Sequence, residues 1–168
     1  MLRFLCPAIA TYRCLDIEAD YFTKHELKGL ILDVDNTLVP WGEKEVSSAY
    51  KQWLQQLQQS GIKICLLSNN RNFRVEMIAA TEGILFVSKA LKPSLKGFKA
   101  ALALLKLLPR ETAVMGDQLY TDILGGNLSG CHTIWVKPLS NREFLGTKIT
   151  RFLEKITVAW LRHKNMLH

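Results

Sequence analysis

The sequence predicts an α/β protein built as a three-layer, doubly wound parallel sheet. Three observations carry the prediction. Short apolar runs alternate with helical stretches, the apolar runs are continuous enough to be buried on both faces, and no repeat, low-complexity tract or linker interrupts the series. Strand alternating with helix implies parallel strands covered by helices on either side. In order, residues 29–34 form an apolar run ending in charge, 46–59 read as helix and 62–67 (IKICLL) as a buried strand. Residues 72–80 read as helix and 84–87 (ILFV) as a short strand. Residues 94–107 form a helix bracketed by Pro93 and Pro109, and 112–115 (TAVM) form a strand. A short helix over 119–128 and a last strand, HTIWV at 132–136, complete the series.

At 168 residues the chain is expected to form one domain, with a core over about 27–140 and a separate C-terminal helix over 141–168. That length buries about 70% of the unfolded surface, enough to fold without staples. The four cysteines, Cys6, Cys14, Cys65 and Cys131, have neither CxxC spacing nor a dense framework, and the last two lie in strand-like runs. Reduced, buried thiols and a cytoplasmic setting are the expectation. Pro7 and Arg13 break up the apolar start and argue against a cleaved signal, and no run approaches the ~20 apolar residues of a membrane span. The net charge of +7 is concentrated at the ends: Arg3 and Arg13 stand in residues 1–15 without an acid, and residues 142–168 hold six Lys or Arg against Glu143 and Glu154. Solubility explains such ends, and so does attraction to an anionic surface.

In doubly wound sheets ligands bind beyond the carboxyl ends of the strands. Here those ends run into DVDNT at 33–37, SNNR at 68–71, SKALKP at 88–93 and GDQLYTD at 116–122. No capping or turn role needs two acids directly after a buried strand, so Asp33 and Asp35 are read functionally. Asp33 suits a nucleophile that takes a phosphoryl group as an acyl phosphate. Asp35, two residues on, suits the acid that protonates the leaving oxygen and then the base that deprotonates water. Repulsion between the Asp33 carboxylate and a phosphate about 4 Å away is on the order of 4 kcal/mol at an effective dielectric near 20, so a cation is needed. Asp117 with Asp33 can hold Mg²⁺, Ser68 and the amides after it can bind phosphate oxygens, and Lys92 can neutralise developing charge. Taken alone, Ser68 reads as a turn, Lys92 as solvated and Asp117 as a helix cap. Asn69, Asn70 and Asn72 suit a turn that shapes the phosphate loop. Asp122 divides evenly between site and helix surface.

Together these residues resemble the haloacid dehalogenase superfamily. Asp33-Val34-Asp35-Asn36-Thr37 is similar to its first motif, Ser68 to its second, Lys92 to its third, and Gly116-Asp117 with Asp122 to its fourth. The resemblance implies a Rossmann-like fold, Asp33 as nucleophile and Asp35 as acid/base. It also implies Mg²⁺ held by Asp33, Asp117 and the main-chain carbonyl of Asp35, with Asp122 accessory. Phosphate is expected on Thr37, Ser68, Asn69 and Lys92, and an acid at the second position implies a phosphatase. Ser68 follows Asp33 by 35 residues and Lys92 follows Ser68 by 24, which leaves no room for the cap domain many relatives insert. The wider stretches FLCPAIATYRCLDI, GLILDVDNTLVPW and GDQLYTDILGGN resemble the YqeG-type family, which includes phosphatidylglycerophosphate phosphatases. That implies a phosphomonoester substrate with a lipid headgroup, converted to phosphatidylglycerol.

In the C-terminal stretch, Leu145, Ile149, Phe152, Leu153, Ile156 and Trp160 recur at helical steps beside Lys148, Arg151, Lys155 and Arg162. This is a basic amphipathic helix whose apolar stripe is expected to pack on its own domain. Docking on an anionic membrane surface, and so a peripheral membrane location, is the alternative. Nucleic acid is disfavoured, because Trp41, Trp53 and Trp135 are scattered and no reading motif occurs. A phosphatase for proteins, nucleic-acid ends or nucleotides, a phospho-accepting signalling module and an inert scaffold are the rival classes. The sequence is compatible with an oligomer without specifying one.

Overall fold

The computed structural model describes residues 2–70, 73–140 and 145–163; in the last segment the side chains are described from Leu153 onward, Arg162 excepted. Six parallel strands form one sheet in the order β1-β6-β5-β2-β3-β4: β1 Ile9–Thr11, β2 Gly29–Leu32, β3 Lys63–Leu67, β4 Leu85–Val87, β5 Thr112–Gly116 and β6 His132–Val136. Helices α1 Ala19–Lys24, α2 Ser48–Gln59, α3 Phe73–Glu82, α4 Leu95–Leu105, α5 Leu124–Leu128 and α6 Leu145–His163 accompany them. From β2 the chain steps outward through β3 to β4, then returns across the sheet to β5 and β6 on the other side of β2. The strand order therefore reverses between β2 and β5, where the sheet opens a crevice at the carboxyl ends.

Alternation along the central strands divides the core in two. Leu30 and Leu32 of β2, Ile64 and Leu66 of β3, and Ala113 and Met115 of β5 pack with Trp53, Leu54 and Leu57 of α2 and Ile78 of α3. Ile31, Cys65, Leu67 and Val114 point the other way, against Phe98, Ala101 and Leu105 of α4. Successive strand side chains alternate between faces, so one continuous apolar run serves both layers. Each interval from β2 to β3 and from β3 to β4 contains a single helix, and among the described residues no cap domain is inserted. Cys14, Cys65 and Cys131 are buried, reduced thiols.

The five predicted strands are present. Two elements before them were not expected: the three-residue β1, which pairs with β6 from Ile9↔Ile134 to Thr11↔Val136, and α1. The sheet thus extends beyond the 27–140 core. A three-residue strand just after a proline has too little pattern to register in a sequence. The expected 119–128 helix opens as a π turn, Leu119–Ile123, in which the amides of both Asp122 and Ile123 donate to the Gln118 carbonyl, and only then becomes α5.

Over its described side chains, helix α6 departs from the packing expected of its stripe. Glu154 and Leu161 are buried, the Tyr120 amide donates to Glu154 Oε1 at 3.3 Å, and Tyr120 and Thr157 share a hydroxyl–hydroxyl bond of 2.5 Å. Leu153, Ile156 and Trp160 of the predicted stripe are exposed. The edge that docks carries Glu154, Thr157 and Leu161, the first two meeting a backbone amide and a tyrosine hydroxyl on the π turn. Leu145, Ile149, Phe152, Lys148, Arg151 and Arg162 lie outside the described side chains. Among the described residues no helix is long and apolar enough to cross a membrane.

Gly125 lets α5 lie directly on α4: a Cβ there would stand 2.2 Å from Phe98 Cε2, and Phe98 is fully buried. Alanine would gain up to ~1 kcal/mol in helix propensity. It would lose more by overpacking a rigid ring, about 1–3 kcal/mol. Gly125→Ala is therefore expected to lower the urea midpoint, and an unchanged or raised midpoint would mean that Phe98 yields freely.

Candidate active site

The two central strands place the first and last acids. The Asp33 amide still donates to the Met115 carbonyl at 2.9 Å, so the residue leaves β2 in register with β5, and Asp117 follows Gly116 at the end of β5. After Asp33 the chain turns sharply. The amides of Leu38 and Val39 both donate to the Val34 carbonyl, and Asn36 adopts a left-handed conformation with φ of 63°. Asparagine tolerates that region better than most residues. Its Oδ1 accepts from the Trp41 amide at 3.0 Å and the Ser140 hydroxyl at 2.7 Å, tying three segments at this turn.

Asp33, Asp117 and Asp122 are buried, and each offers a carboxylate oxygen within 4.8 Å of the others. Lys92, also buried, donates through Nζ to Asp33 Oδ1 at 2.5 Å, Asp122 Oδ1 at 2.6 Å and the Leu67 carbonyl at 3.0 Å. Burial alone would lower the Lys92 ammonium, but Asp122 and Asp33 outweigh it and hold it above the ordinary lysine range. Burial pushes the Asp122 carboxyl up to about 6, with Lys92 opposing the rise. Among the described residues, three buried acids gather around one ammonium. Asp33 Oδ2 is buried and has no hydrogen-bond partner. An orphaned carboxylate oxygen among acids is the donor set of a hard cation.

The surface reading of Asp122 is overturned, since its side chain is 1% exposed. The π turn swings it inward, where Oδ2 accepts from the Gln118 amide at 3.1 Å. Gly116 makes room: a Cβ there would stand 2.3 Å from Asp122 Cγ. Asp117 does not cap the following turn, a position held by Gln118; its side chain accepts from the Thr37 hydroxyl at 3.3 Å, and its carbonyl accepts from the Trp135 indole at 3.0 Å. Thr37, expected on phosphate, therefore orients a carboxylate in this structure.

Lys92 is not the solvated lysine of the plain reading, while Ser68 takes part in its turn as that reading expects. The Ser68 hydroxyl accepts from the Asn70 amide at 3.1 Å, which leaves its own proton to give. The Asn69 side chain bonds both main-chain groups of Lys92, accepting from its amide at 2.6 Å and donating to its carbonyl at 3.3 Å, and so clamps the lysine loop to the serine loop. Asn72 lies outside the described residues. The carboxylate of Asp35 is not in the acidic cluster. It accepts from Asn70 Nδ2 at 2.6 Å and pairs with the Arg74 guanidinium, which also donates to the Glu43 carbonyl at 2.5 Å. Sequence reasoning missed Arg74 because one arginine in the first turn of a helix carries no distinguishing signal. The positioning role of Asn36 was visible only as the variable residue of DxDxT.

Comparison with known proteins follows this geometry. Residues 3–83 match a family model described as mitochondrial PGP phosphatase, and residues 90–141 match one described as HAD-hydrolase-like. The chain is 34% identical over 162 residues to the probable phosphatase YqeG of Bacillus subtilis, covering 96% of this chain and 94% of that one. Among solved structures, the cobalt-bound deoxy-D-mannose-octulosonate 8-phosphate phosphatase of Haemophilus influenzae superposes with a TM-score of 0.52 at 19% identity, covering 66% of this chain and 68% of that one. A putative HAD superfamily (subfamily III A) hydrolase of Legionella pneumophila does so at 0.52 and 19%, covering 67% of each. These two structures agree with the sheet described above, and the near full-length identity to YqeG settles kinship: the chain belongs to the YqeG family of HAD-like phosphatases.

Proposed function

We propose that the protein is a Mg²⁺-dependent phosphomonoester phosphatase working through an aspartyl-phosphate on Asp33, with phosphatidylglycerophosphate as substrate and phosphatidylglycerol as product. The observation that carries the chemistry is the buried Oδ2 of Asp33, without a hydrogen-bond partner, while Lys92 fixes Oδ1. The lipid substrate draws support from the match of residues 3–83 to the PGP phosphatase model. The whole chain is read as one domain, cytoplasmic and peripheral to a membrane, a setting that suits its basic ends.

Asp33, Asp117 and the main-chain carbonyl of Asp35 would hold Mg²⁺, with Asp122 adjoining. When bound, the cation offsets the clustered carboxylates and polarises a phosphate oxygen. Lys92 pins the nucleophile, and the Ser68 hydroxyl gives its free proton to a phosphate oxygen. Asp33 forms the bond to phosphorus as the ester oxygen leaves, and Asp35 delivers the proton that oxygen needs. Asp35 then takes a proton from water, whose oxygen attacks phosphorus and releases Asp33 with inorganic phosphate. Asn70 and Arg74 hold the Asp35 carboxylate between these duties. Asn69 keeps Lys92 at its post.

Release of phosphate from an aryl phosphate is expected to be abolished in Asp33→Asn and to fall about 10²–10⁴-fold in Asp35→Asn. Equal rates in wild type and Asp33→Asn would eliminate the mechanism. Thermal melts give a readout independent of turnover: Mg²⁺ at a hundred times its Kd should stabilise the protein by about 2.7 kcal/mol over the chelated form. Asp117→Asn should lose most of that gain, and a wild-type melt indifferent to Mg²⁺ would count against the metal site. A panel of phosphatidylglycerophosphate in mixed micelles against soluble sugar phosphates, nucleotides and phosphopeptides tests the substrate. Higher kcat/KM on a soluble monoester would remove the lipid and leave the chemistry.

A further inference from the structure

A groove of about 800 Å³ runs from Asp35 between the loop at 41–46 and helix α3. That is within the range of sites that enclose small ligands. Its walls carry Trp41 and Val46 from the loop and Phe73, Met77 and Ile78 from α3. Phe73 is 72% exposed and Met77 49%, so two large apolar side chains stand in water beside the residue proposed to protonate the leaving oxygen. Of the charges on the lining, Arg74 pairs with Asp35 and Lys51 with Glu82 at 3.6 Å, while Lys44 and Glu45 stand on the loop wall. Arg74 also donates to the Glu43 carbonyl, which fastens the loop to α3 and fixes the width between the walls.

We propose that this groove binds the leaving group of the substrate and selects phosphomonoesters whose alcohol carries an apolar chain, with Trp41, Phe73 and Met77 as the specificity-determining residues. The inference rests on the phosphatase reading and on no particular lipid. Position makes the leaving group the occupant. With phosphorus between Asp33 and Asp35, the departing oxygen lies at Asp35 and its carbon chain continues into the space that Asp35 opens. An alcohol hydroxylated throughout, as in a sugar, would lay its hydroxyls against Trp41, Phe73 and Met77, which cannot replace their bonds to water, whereas an alkyl chain, joined directly or beyond a glycerol unit, would cover those same faces.

The test compares n-alkyl phosphates from ethyl to octyl below their micelle concentrations. Each fully buried methylene contributes up to about fourfold, so kcat/KM should rise at least about tenfold along the series, mostly through KM. Phe73→Asp and Met77→Asp should each cut the octyl-to-ethyl ratio at least about fivefold, while Phe73→Leu retains most of it. Both positions are exposed enough for these variants to fold. Calorimetry with octylphosphonate and ethylphosphonate, which cannot be turned over, should rank in the same order. If no ester is hydrolysed yet the phosphonates rank by length, the groove stands and the phosphatase reading falls. A flat series in both assays overturns the groove, as does an equal loss on short and long esters in the Asp variants. Dissociation of an oligomer by those variants would assign the face to a second copy instead.

Discussion

Lys92 sits almost out of reach of water with its ammonium between Asp33 and Asp122 and a third donor aimed at the Leu67 carbonyl. Removing three carboxylates from water is tolerable only where positive charge meets them at hydrogen-bond distance. Lys92 holds two of the acids in fixed places, and Asp117 stands beside them at the end of β5, so three carboxylate oxygens lie within 4.8 Å of one another. Asp33 Oδ2 has no hydrogen-bond partner, so a cation taken up there would displace no hydrogen bond.

Most of the other polar contacts at the strand ends serve to fix this arrangement. Asn69 binds the lysine loop through its backbone, so the position of Lys92 does not depend on the ammonium alone. Thr37 and Trp135 fix Asp117 from two directions, side chain and carbonyl. Asn36 gathers the loop behind the acids, and the bare α-carbon of Gly116 admits the Asp122 carboxylate. The loops are short and cross-linked, as suits a site whose working parts must agree to within a fraction of an ångström.

The parts legible in the sequence are those where a residue type is costly anywhere else. Two acids behind a buried strand had no structural excuse, and the structure places Asp33 in the buried acidic cluster and Asp35 beside it on Asn70 and Arg74; the apolar runs around them were readable because strands buried on both faces need no alternation. Asp122 was ambiguous because its inward turn depends on a π turn, and the choice between π and α hydrogen bonding leaves little trace in residue type. Arg74 and the roles of Asn36 and Thr37 depend on where loops meet, which single residues do not encode. The C-terminal stripe misled for a related reason. Periodicity identified a helix with an apolar side, but the edge that docks carries Glu154 and Thr157, which meet an amide and a hydroxyl on the π turn.

The position of β1 bears on how the molecule is assembled. Among the described residues it stands at the sheet edge and pairs with β6 alone, more than a hundred residues further along the chain. On a ribosome, the segment carrying β1 has no strand to join until β6 has been synthesised. The same β6 carries Trp135, whose indole fastens the Asp117 loop. Contacts so distant in sequence carry a high loop-closure cost and form slowly. Most of the hydrophobic layers can therefore form before the loop that carries Asp117 is fastened to β6.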